Sequence, residues 1–363
     1  MFQLETRPVP SATMRLLSPL IAALLMLASG FVLFTLLGQP ALKAFYVFFV
    51  QPLTTLYGVG EWLLKATPLL LCSLGLLIAY RANVWNIGAE GQLVMGAIAG
   101  GGVALAFPDV SASWLMPAML VAGVAGGMAW AALPALLRTR FHTNEILVSL
   151  MLVYVAGLGL RFLVNGPWRD PEGFNFPQSR MFHEAAILPL LHPEMRVTVA
   201  GVLALMLVGL IWLFLSKSWL GFRLTVAGQA PAAARYAGFG ERRNVWIAML
   251  ISGGFAGLAG VAEVAGPLGQ LQPSVSPGYG FAAIIVAFVG RLNPLGALLA
   301  SLLMSLLYLG GETAQMELGL PAAITGLFQG LLLFYLLAAD LFIHYRVRRS
   351  ERAPAAVLKE ATR

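Results

Sequence analysis

Residues 197–216 read Val-Thr-Val-Ala-Gly-Val-Leu-Ala-Leu-Met-Leu-Val-Gly-Leu-Ile-Trp-Leu-Phe-Leu-Ser, and none of these side chains is charged. A helix needs about 20 predominantly apolar residues to cross a bilayer, because each residue rises about 1.5 Å and the hydrocarbon core is about 30 Å thick. The rest of the chain has a similar composition. Of its 363 residues, 59% are hydrophobic and 11% are charged, and the mean hydropathy is +0.82. Soluble domains carry about 25% charged residues, so the sequence predicts an integral membrane protein.

Separate apolar runs predict an all-α, polytopic fold with about ten membrane crossings within residues 16–343. The first run is too long for the apolar part of a secretory signal, so we expect it to remain as a span. The run at 278–290 is too short to cross, which predicts a broken or re-entrant helix; such backbone is tolerated where it lines a cavity. We treat residues 41–58 as an external interfacial segment. The runs are 16–38, 62–80, 87–107, 113–137, 144–164, 197–216, 244–266, 278–290, 295–310 and 321–343.

The positive charges predict the orientation, because cytoplasmic segments of membrane proteins carry an excess of Lys and Arg. With ten crossings and the N-terminus inside, 17 of the 23 cations fall on the cytoplasmic side. Both tails, 1–15 and 344–363, are then cytoplasmic, with a loop at 165–195 outside and a basic loop at 217–243 inside. The net charge of +7 follows from this topology and needs no nucleic-acid partner.

Motifs for catalysis and metal binding are missing from the sequence. The single cysteine, Cys72, cannot form an intrachain disulfide or a thiolate cluster, and the four histidines lack metal-ligand spacing. There is no Gly-x-x-x-x-Gly-Lys-Ser/Thr loop, Gly-x-Ser-x-Gly elbow or His-Glu-x-x-His helix. We therefore expect no catalytic residue, no bound metal or cofactor and no ATP hydrolysis by this chain. Transport or signalling remains.

The basic loop contains a predicted helix at about residues 229–239. Pro231 suits the first helical position, residues 232–237 are mostly strong helix formers, and Gly238 would end the helix. The helix either offers a docking face to another protein or is an amphipathic connector on lipid headgroups, and spacing alone leaves both open. The candidate contact residues are Gly228, Pro231, Ala233, Arg235, Tyr236 and Gly238.

A second notable stretch, Asn83-Val-Trp-Asn-Ile-Gly-Ala-Glu-Gly-Gln-Leu-Val-Met-Gly96, predicts a helix break at a span boundary. A restarted helix offers free N–H groups to a polar substrate, and Glu90 and Gln92 could hydrogen-bond one while Trp85 stacks on it. A plain helix cap, with Glu90 near the positive end of the helix dipole, also explains the pattern.

Five stretches resemble one known family, the membrane permeases of bacterial ABC importers. The resemblance is to the branch shared by branched-chain amino acid, ribose-type sugar and nucleoside uptake systems, and it covers residues 60–340 in order. The first and last stretches are most similar to the nucleoside, or simple sugar, permeases. The stretches are Asn86-Ile-Gly-Ala-Glu-Gly-Gln92, Thr143-Asn-Glu-Ile-Leu-Val-Ser149, Ala233-Ala-Arg-Tyr-Ala-Gly238, Ser252-Gly-Gly-Phe-Ala-Gly-Leu-Ala-Gly260 and Gly278-Tyr-Gly-Phe-Ala-Ala-Ile-Ile-Val-Ala-Phe-Val-Gly-Arg-Leu-Asn-Pro-Leu-Gly296.

The resemblance implies a set of partners and a location. The helix at 229–239 would be the coupling helix that enters a groove of a separate ATPase subunit, which uses the ATP. A second permease subunit, either another copy or a paralogue, would complete the path, and an external binding protein would deliver the substrate. The assembly would lie in the bacterial plasma membrane, crossing it many times.

Further side chains are candidates for the transport path. Glu263 lies 19 residues after Asn244, about 28 Å along a helix, where a pathway or docking role competes with a solvated helix end. Tyr279 and Phe281 could stack on a nucleobase, although aromatic side chains are common at membrane interfaces. Near other helix ends, we expect Glu145 to cap a helix and Arg161 to snorkel, and the glycines at 253–260 to permit close helix packing. The path candidates are Trp85, Asn86, Glu90, Gln92, Glu263, Tyr279 and Phe281.

The sequence therefore predicts the permease subunit of an ATP-driven importer for nucleosides. Two alternatives stay open: a permease for simple sugars or branched-chain amino acids, and, from another class, an ion-coupled secondary transporter that needs no ATPase.

Overall fold

The computed structural model describes residues 2–7 and 11–349, and the fold is 75% helical. This confirms the predicted helical membrane fold. In chain order, the elements are β1 (Phe2–Thr6), α1 (Ala12–Leu36), α2 (Ala41–Phe45), α3 (Leu56–Arg81), α4 (Ala89–Ala106), α5 (Leu115–Phe141), α6 (Glu145–Asn165), β2 (Leu190–His192), β3 (Met195–Thr198), α7 (Val199–Lys217), α8 (Trp219–Gln229), α9 (Pro231–Tyr236), α10 (Glu241–Glu263), α11 (Tyr279–Val289), α12 (Pro294–Leu318), α13 (Ala323–His344) and β4 (Tyr345–Arg349).

Nine helices in the described part of the chain are long and apolar enough to cross a membrane, namely α1, α3, α4, α5, α6, α7, α10, α12 and α13. The tenth apolar run forms α11, whose 11 residues extend about 16 Å, roughly half of the hydrocarbon core. The chain reaches α11 through a π-helical turn, Val264–Leu268, and an irregular segment at 269–278. The predicted interruption of the regular spans is thus present.

Capping residues fix several helix ends. Asn144 caps α6, and its Oδ1 accepts the N–H two residues later at 2.9 Å. Glu145, the first residue of α6, forms an ion pair with Arg138 near the end of α5. Asn293 caps α12 in the same way at 3.0 Å, with Pro294 at the first helical position. The turn between α5 and α6 is therefore fastened by a cap and by an ion pair.

Glycines bring α4, α5 and α10 into close contact. A Cβ atom added at Gly257 of α10 would overlap the carbonyl group of Gly123 in α5, and one added at Gly96 of α4 would overlap Gly257. A Cβ at Gly253 would likewise overlap the carbonyl of Gly127. Small residues at such crossings let helix backbones approach each other, which is the packing predicted for the glycine-rich stretch of α10.

The loop predicted to be external, 165–195, is fastened to the segment that leads into α11. The Ser179 N–H donates to the carbonyl of Leu271 at 2.9 Å, and the Leu271 N–H donates to Ser179 Oγ at 2.9 Å. The Phe182 N–H donates to the carbonyl of Gly269 at 2.8 Å. These bonds pair the two irregular segments, and the adjoining β2 and β3 form an antiparallel hairpin.

The chain divides into two compact units, of which residues Ala44–Thr325 form the larger. The smaller unit contains α1 and most of α13, and Ser18 Oγ donates to Asp340 Oδ1 at 2.7 Å within it. The parts of the two predicted tails that are described, β1 and β4, pair with each other as antiparallel strands. Residues 1, 8–10 and 350–363 of those tails lie outside the described residues.

Candidate translocation and coupling sites

The break between α3 and α4 is held by the side chain of Asn86, which is fully buried. Its Nδ2 donates to Gln92 Oε1 at 2.8 Å and to Ser252 Oγ of α10 at 2.9 Å. Its Oδ1 accepts from Gln92 Nε2 and from the Gly88 N–H, both at 3.0 Å. Asn86 and Gln92, two of the predicted path residues, thus bond to the protein itself and brace the break.

Glu90 joins the start of α4 to the start of α11. Its carboxylate accepts the Gly280 N–H at 2.7 Å and also receives hydrogen bonds from Ser276 and the Gly278 N–H. A negative group at a helix N-terminus satisfies free N–H groups and interacts favourably with the helix dipole. A Cβ at Gly280 would overlap the backbone nitrogen of Glu90, so only a glycine admits this approach. Glu90 therefore caps α11, a helix 190 positions further along the chain.

A groove runs from Glu90 along α6. It has a volume of about 250 Å³ and is bounded by α4, by α6 from Val153 to Arg161, and by residues 273–276. The α6 stretch is about 12 Å long, and hydrogen-bonding side chains lie at both of its ends. We call this groove the Glu90 cavity; its polar lining residues are Glu90, Tyr154, Arg161, Ser274 and Ser276.

The sequence identified one of these lining residues, Glu90, as a path candidate. It assigned Arg161 to snorkelling, whereas Arg161 lines the cavity with an exposed side chain. A charged residue within an otherwise apolar span was the signal that could have found it. The serines precede α11 in an irregular segment and carried no such signal.

The other path candidates lie elsewhere. Trp85 is 39% exposed and stacks on Phe288 of α11, with ring centroids 6.1 Å apart. Tyr279 is buried and makes an edge-to-face contact with Tyr308 at 5.4 Å, and Phe281 is 39% exposed. Glu263 ends α10. None of these four lines the Glu90 cavity as described.

A group of ion pairs ties α3 to its neighbours near Glu263. Arg196 of β3 donates to Glu61 Oε1 of α3 at 3.2 Å and to the carbonyl of Pro267 at 3.0 Å. Burial lowers the pKa of Arg196, but its contacts with Tyr57 and Glu61 raise it by more, so the net pKa lies above the usual value and the guanidinium stays charged. Arg196 thus connects the β2–β3 hairpin to α3 and to the end of α10.

A second ion pair lies on the next turn of α3. Lys65 pairs with Glu312 of α12 at 2.9 Å. Glu263 is within electrostatic range of Lys65 and Arg196. The predicted path residue Glu263 therefore belongs to a cluster of opposite charges.

Two helices, rather than one, form the predicted coupling loop. The expected helix is present as α9, with Pro231 at its first position and Gly238, at φ +77°, just beyond its end. The second helix, α8, was not predicted from the sequence; Ser218 caps it by accepting the Gly221 N–H at 2.9 Å.

The predicted contact residues of this loop have different environments. Tyr236 is 97% exposed, and Pro231, Ala233 and Arg235 are exposed as well. Gly228 is a packing residue, because a Cβ there would overlap the carbonyl oxygen of Arg81. The exposed face of α9 is thus available to a partner, while Gly228 fits α8 against the end of α3.

These features are those of a polytopic membrane transport component: long apolar helices, a broken helix beside a polar groove, and an exposed helical loop. The chain belongs to the family described as branched-chain amino acid transport system / permease component, whose model matches residues 58–337.

Named relatives are similar over nearly their whole length. The glucose ABC transporter permease protein TsgB13 of Haloferax volcanii is 36% identical, over 97% of this chain and 96% of the relative. The guanosine ABC transporter permease protein NupP of Bacillus subtilis is 31% identical, over 88% and 92%. The nucleoside ABC transporter permease protein NupB of Lactococcus lactis is 26% identical, over 89% and 91%. No solved structure matches the chain significantly.

This membership confirms the predicted ABC permease. The chain is a multi-pass subunit in the plasma membrane, and ATP hydrolysis belongs to a separate subunit. An ATPase and a substrate-binding protein are the partners that such a system has in general. The ion-coupled secondary transporter, left open by the sequence, is not the class to which this chain belongs.

Proposed function

We propose that this chain forms the path by which nucleosides cross the membrane in an ABC importer. The Glu90 cavity carries the proposal, because it places a carboxylate, a guanidinium, two hydroxyls and an aromatic ring along one groove beside a broken helix. A nucleoside presents ribose hydroxyls and polar base edges to hydrogen bonds, and a flat base to an aromatic face. NupP and NupB, which carry guanosine and nucleoside in their names, support this substrate class.

Simple sugars are the second candidate substrate. TsgB13, a glucose permease by name, has a higher identity to this chain than NupP has. Arg161 and Ser274 would serve sugar hydroxyls as well as those of ribose. Tyr154 distinguishes the candidates, because a base adds a stacking surface to the ribose. Branched-chain amino acids enter through the family description, although no acidic and basic pair in the Glu90 cavity is free for both ends of an amino acid, since Glu90 already caps α11.

A second permease subunit would cover the open side of the Glu90 cavity. Tyr154 and Leu158 are 63% and 64% exposed on α6, and only 17% of the α6 span is buried within this chain. A path for a polar substrate must be screened from lipid. Another copy or a paralogue packed against α6 would provide that screen.

The remaining partners would meet the two exposed loops. The face of α9 that carries Arg235 and Tyr236 would contact the ATPase, and α8 would pass its movement to α3 and α10. On the opposite side, by the predicted topology, Phe174 and Phe176 are 93% and 65% exposed on the 165–195 loop. Exposed aromatic side chains of this kind anchor protein interfaces, so we assign them to the substrate-binding protein.

Uptake of labelled guanosine by proteoliposomes containing the whole transport complex tests the substrate and the path together. Tyr154→Ala should raise the KM for guanosine about tenfold, since stacking of a base on an aromatic ring is worth about 1–3 kcal/mol. Phe162→Ala is the matched control, because Phe162 is 70% exposed on the same helix and does not line the cavity.

Two results would contradict the proposal. Equal KM values for the two variants would remove the Glu90 cavity from the path. Competition by glucose, with no competition by other nucleosides, would assign the transporter to sugars.

A further inference from the structure

A small cavity lies behind α9, on the side of the molecule that we assign to the ATPase. Its volume is about 80 Å³, and its polar lining comes from the α3–α4 break, the end of α5, α9 and the start of α10. It shares no described lining residue with the Glu90 cavity. We call it the Asn244 cavity; its principal lining residues are Asn83, Arg138, Ala234, Arg235, Glu241 and Asn244.

Two buried donors beside this cavity have no acceptor among the described residues. Arg223 Nε donates to Asn244 Oδ1 at 2.7 Å, which fixes the amide orientation because a guanidinium can only donate. Asn244 Nδ2 and Arg223 Nη2 are left without partners, although the residues are 3% and 8% exposed. A buried donor without an acceptor costs about 1–3 kcal/mol. Burial and, secondarily, Arg243 lower the pKa of Arg223, which is consistent with a cation that lacks an anionic neighbour.

A second, wider cavity adjoins the first. It has a volume of about 330 Å³, shares Arg138 and Glu241 with the Asn244 cavity, and includes the turn between α5 and α6. The buried Thr143 Oγ1 in this cavity also has no partner in the part of the chain that the structure describes. Positive charge prevails around both cavities: Arg138, Arg235 and Arg242 line them, and Glu145 and Glu241 are the acidic lining residues.

We propose that the Asn244 cavity receives a carboxylate side chain of the ATPase subunit. The proposal rests on the proposed function, because α9 is both the ATPase contact and one wall of the cavity. A carboxylate accepts several hydrogen bonds at once, and bonds between charged partners are shorter and stronger than neutral ones. It would be drawn in by the surrounding arginines, and a shift of the Asn244 side chain that uncovers the buried Nδ2 would let it accept from that group.

Size and position favour an acidic side chain of the ATPase over a nucleotide. Pockets that hold drug-sized molecules have volumes of about 300–1,000 Å³, so a cavity of about 80 Å³ suits a single side-chain group rather than a whole nucleotide. The α9 wall of the cavity is the proposed ATPase contact, so an acidic side chain of that subunit is the nearest anionic group.

An inserted carboxylate would link the ATPase to the centre of the permease. Asn244 lies in the first turns of α10, the helix that packs closely against α4 and α5 through glycines. Arg223 connects the same point to α8. A pull on the carboxylate would thus act on α10 directly, in addition to any push on α9.

The test measures the affinity of the ATPase subunit for the permease in proteoliposomes of the whole complex from which the ATPase has been stripped. Asn244→Asp preserves the shape of the side chain but places a negative charge in the cavity, so it should weaken ATPase binding at least about tenfold. Asn293→Asp is the matched control. Asn293 caps α12, where aspartate is an equally good cap, and it lines neither cavity.

A charge-removal experiment identifies the partner group. Each Asp and Glu on the permease-facing surface of the ATPase is changed to Asn or Gln, one at a time. We expect one of these substitutions to weaken binding to the native permease. The same substitution should not weaken binding further when the permease carries Asn244→Asp. Wild-type affinity of the Asn244→Asp variant would overturn the proposal, as would stabilisation of the isolated permease by inorganic phosphate that requires Asn244. If Tyr236→Glu weakens ATPase binding and Asn244→Asp does not, the α9 contact is supported and the cavity proposal is wrong. If neither variant changes ATPase binding, both the α9 contact and the cavity proposal are wrong.

Discussion

The carboxylate of Glu90 accepts the N–H of Gly280 at 2.7 Å, so the first turn of α4 meets the first turn of α11 at a point where neither helix has spare room. This contact fixes one end of the Glu90 cavity. It also gives the short helix α11 a negative cap in a segment that would otherwise expose its N–H groups at membrane depth.

Removing this cap should destabilise the permease. Glu90→Ala loses the acceptor for Gly280 and should lower the free energy of unfolding by about 1–2 kcal/mol, whereas Glu90→Gln keeps an oxygen acceptor and should lose less. Thermal unfolding of the detergent-solubilised protein measures both. The same melting temperature for the two variants would show that Glu90 does not act as a cap.

Replacing the glycine on the other side of the contact should also be destabilising. Gly280→Ala adds a Cβ that overlaps the backbone of Glu90, and overpacking of this kind costs about 1–3 kcal/mol. Gly209→Ala, within α7, should be neutral or stabilising, because no described atom beyond the backbone of its own helix lies within 4 Å of the added Cβ. A drop in melting temperature of equal size in both variants would contradict this account.

Reversing a charge on α9 should separate ATP hydrolysis from transport. Arg235→Glu places a negative charge on the proposed ATPase face, so we expect it to reduce ATP-driven uptake several-fold relative to ATP hydrolysis. The chain should still insert into the membrane. Arg140→Glu, at the exposed end of α5, is the control on the same predicted side. Native uptake by the Arg235 variant, measured in proteoliposomes with simultaneous phosphate release, would exclude α9 as the coupling contact.

Loss of the Arg196 contacts should loosen the region where α3 meets the end of α10. Arg196→Gln should lower stability by about 1 kcal/mol, a modest value because the side chain is partly exposed. Because the pKa of Arg196 is raised in the folded protein, its contribution to the free energy of unfolding is fully present below the pKa of an arginine in the unfolded chain. The stability difference between Arg196→Gln and the wild type should therefore not change between about pH 6 and 9. Melting curves across that pH range measure this difference, with Arg180→Gln as the control. A stability difference that disappears toward pH 9 would show that the charged Arg196 side chain does not stabilise this region.

Residue patterns sufficed for the features that depend on neighbours in sequence. Pro231 and Gly238 predicted the bounds of α9 because a proline suits a helix start and a glycine the left-handed residue after a helix end. The shortness of 278–290 predicted the irregular approach to α11. The helix α8 was not predicted because a single residue, Ser218, both ends α7 and caps α8, and it is not a strong helix breaker.

The site depended on contacts that the pattern does not contain. Glu90 stood out in sequence, but its role as a cap for α11 required a residue 190 positions away. Asn86 and Gln92 were candidates for ligand contact, and the structure shows them bonded to each other, with Asn86 also bonded to Ser252. Arg161 was assigned to a helix end, and its place in the Glu90 cavity followed from the packing of α6 beside residues 273–276.

The sequence by itself determined that this is a helical membrane protein with spans of a given length, because the bilayer imposes both apolar composition and a minimum of about 20 residues on each crossing. It also carried the motifs of an ABC permease. The tertiary structure decided which polar groups face a cavity and which satisfy one another. That distinction rests on hydrogen-bond geometry between distant segments, and within a membrane an amide or carboxylate must find its partner inside the protein, wherever along the chain that partner lies.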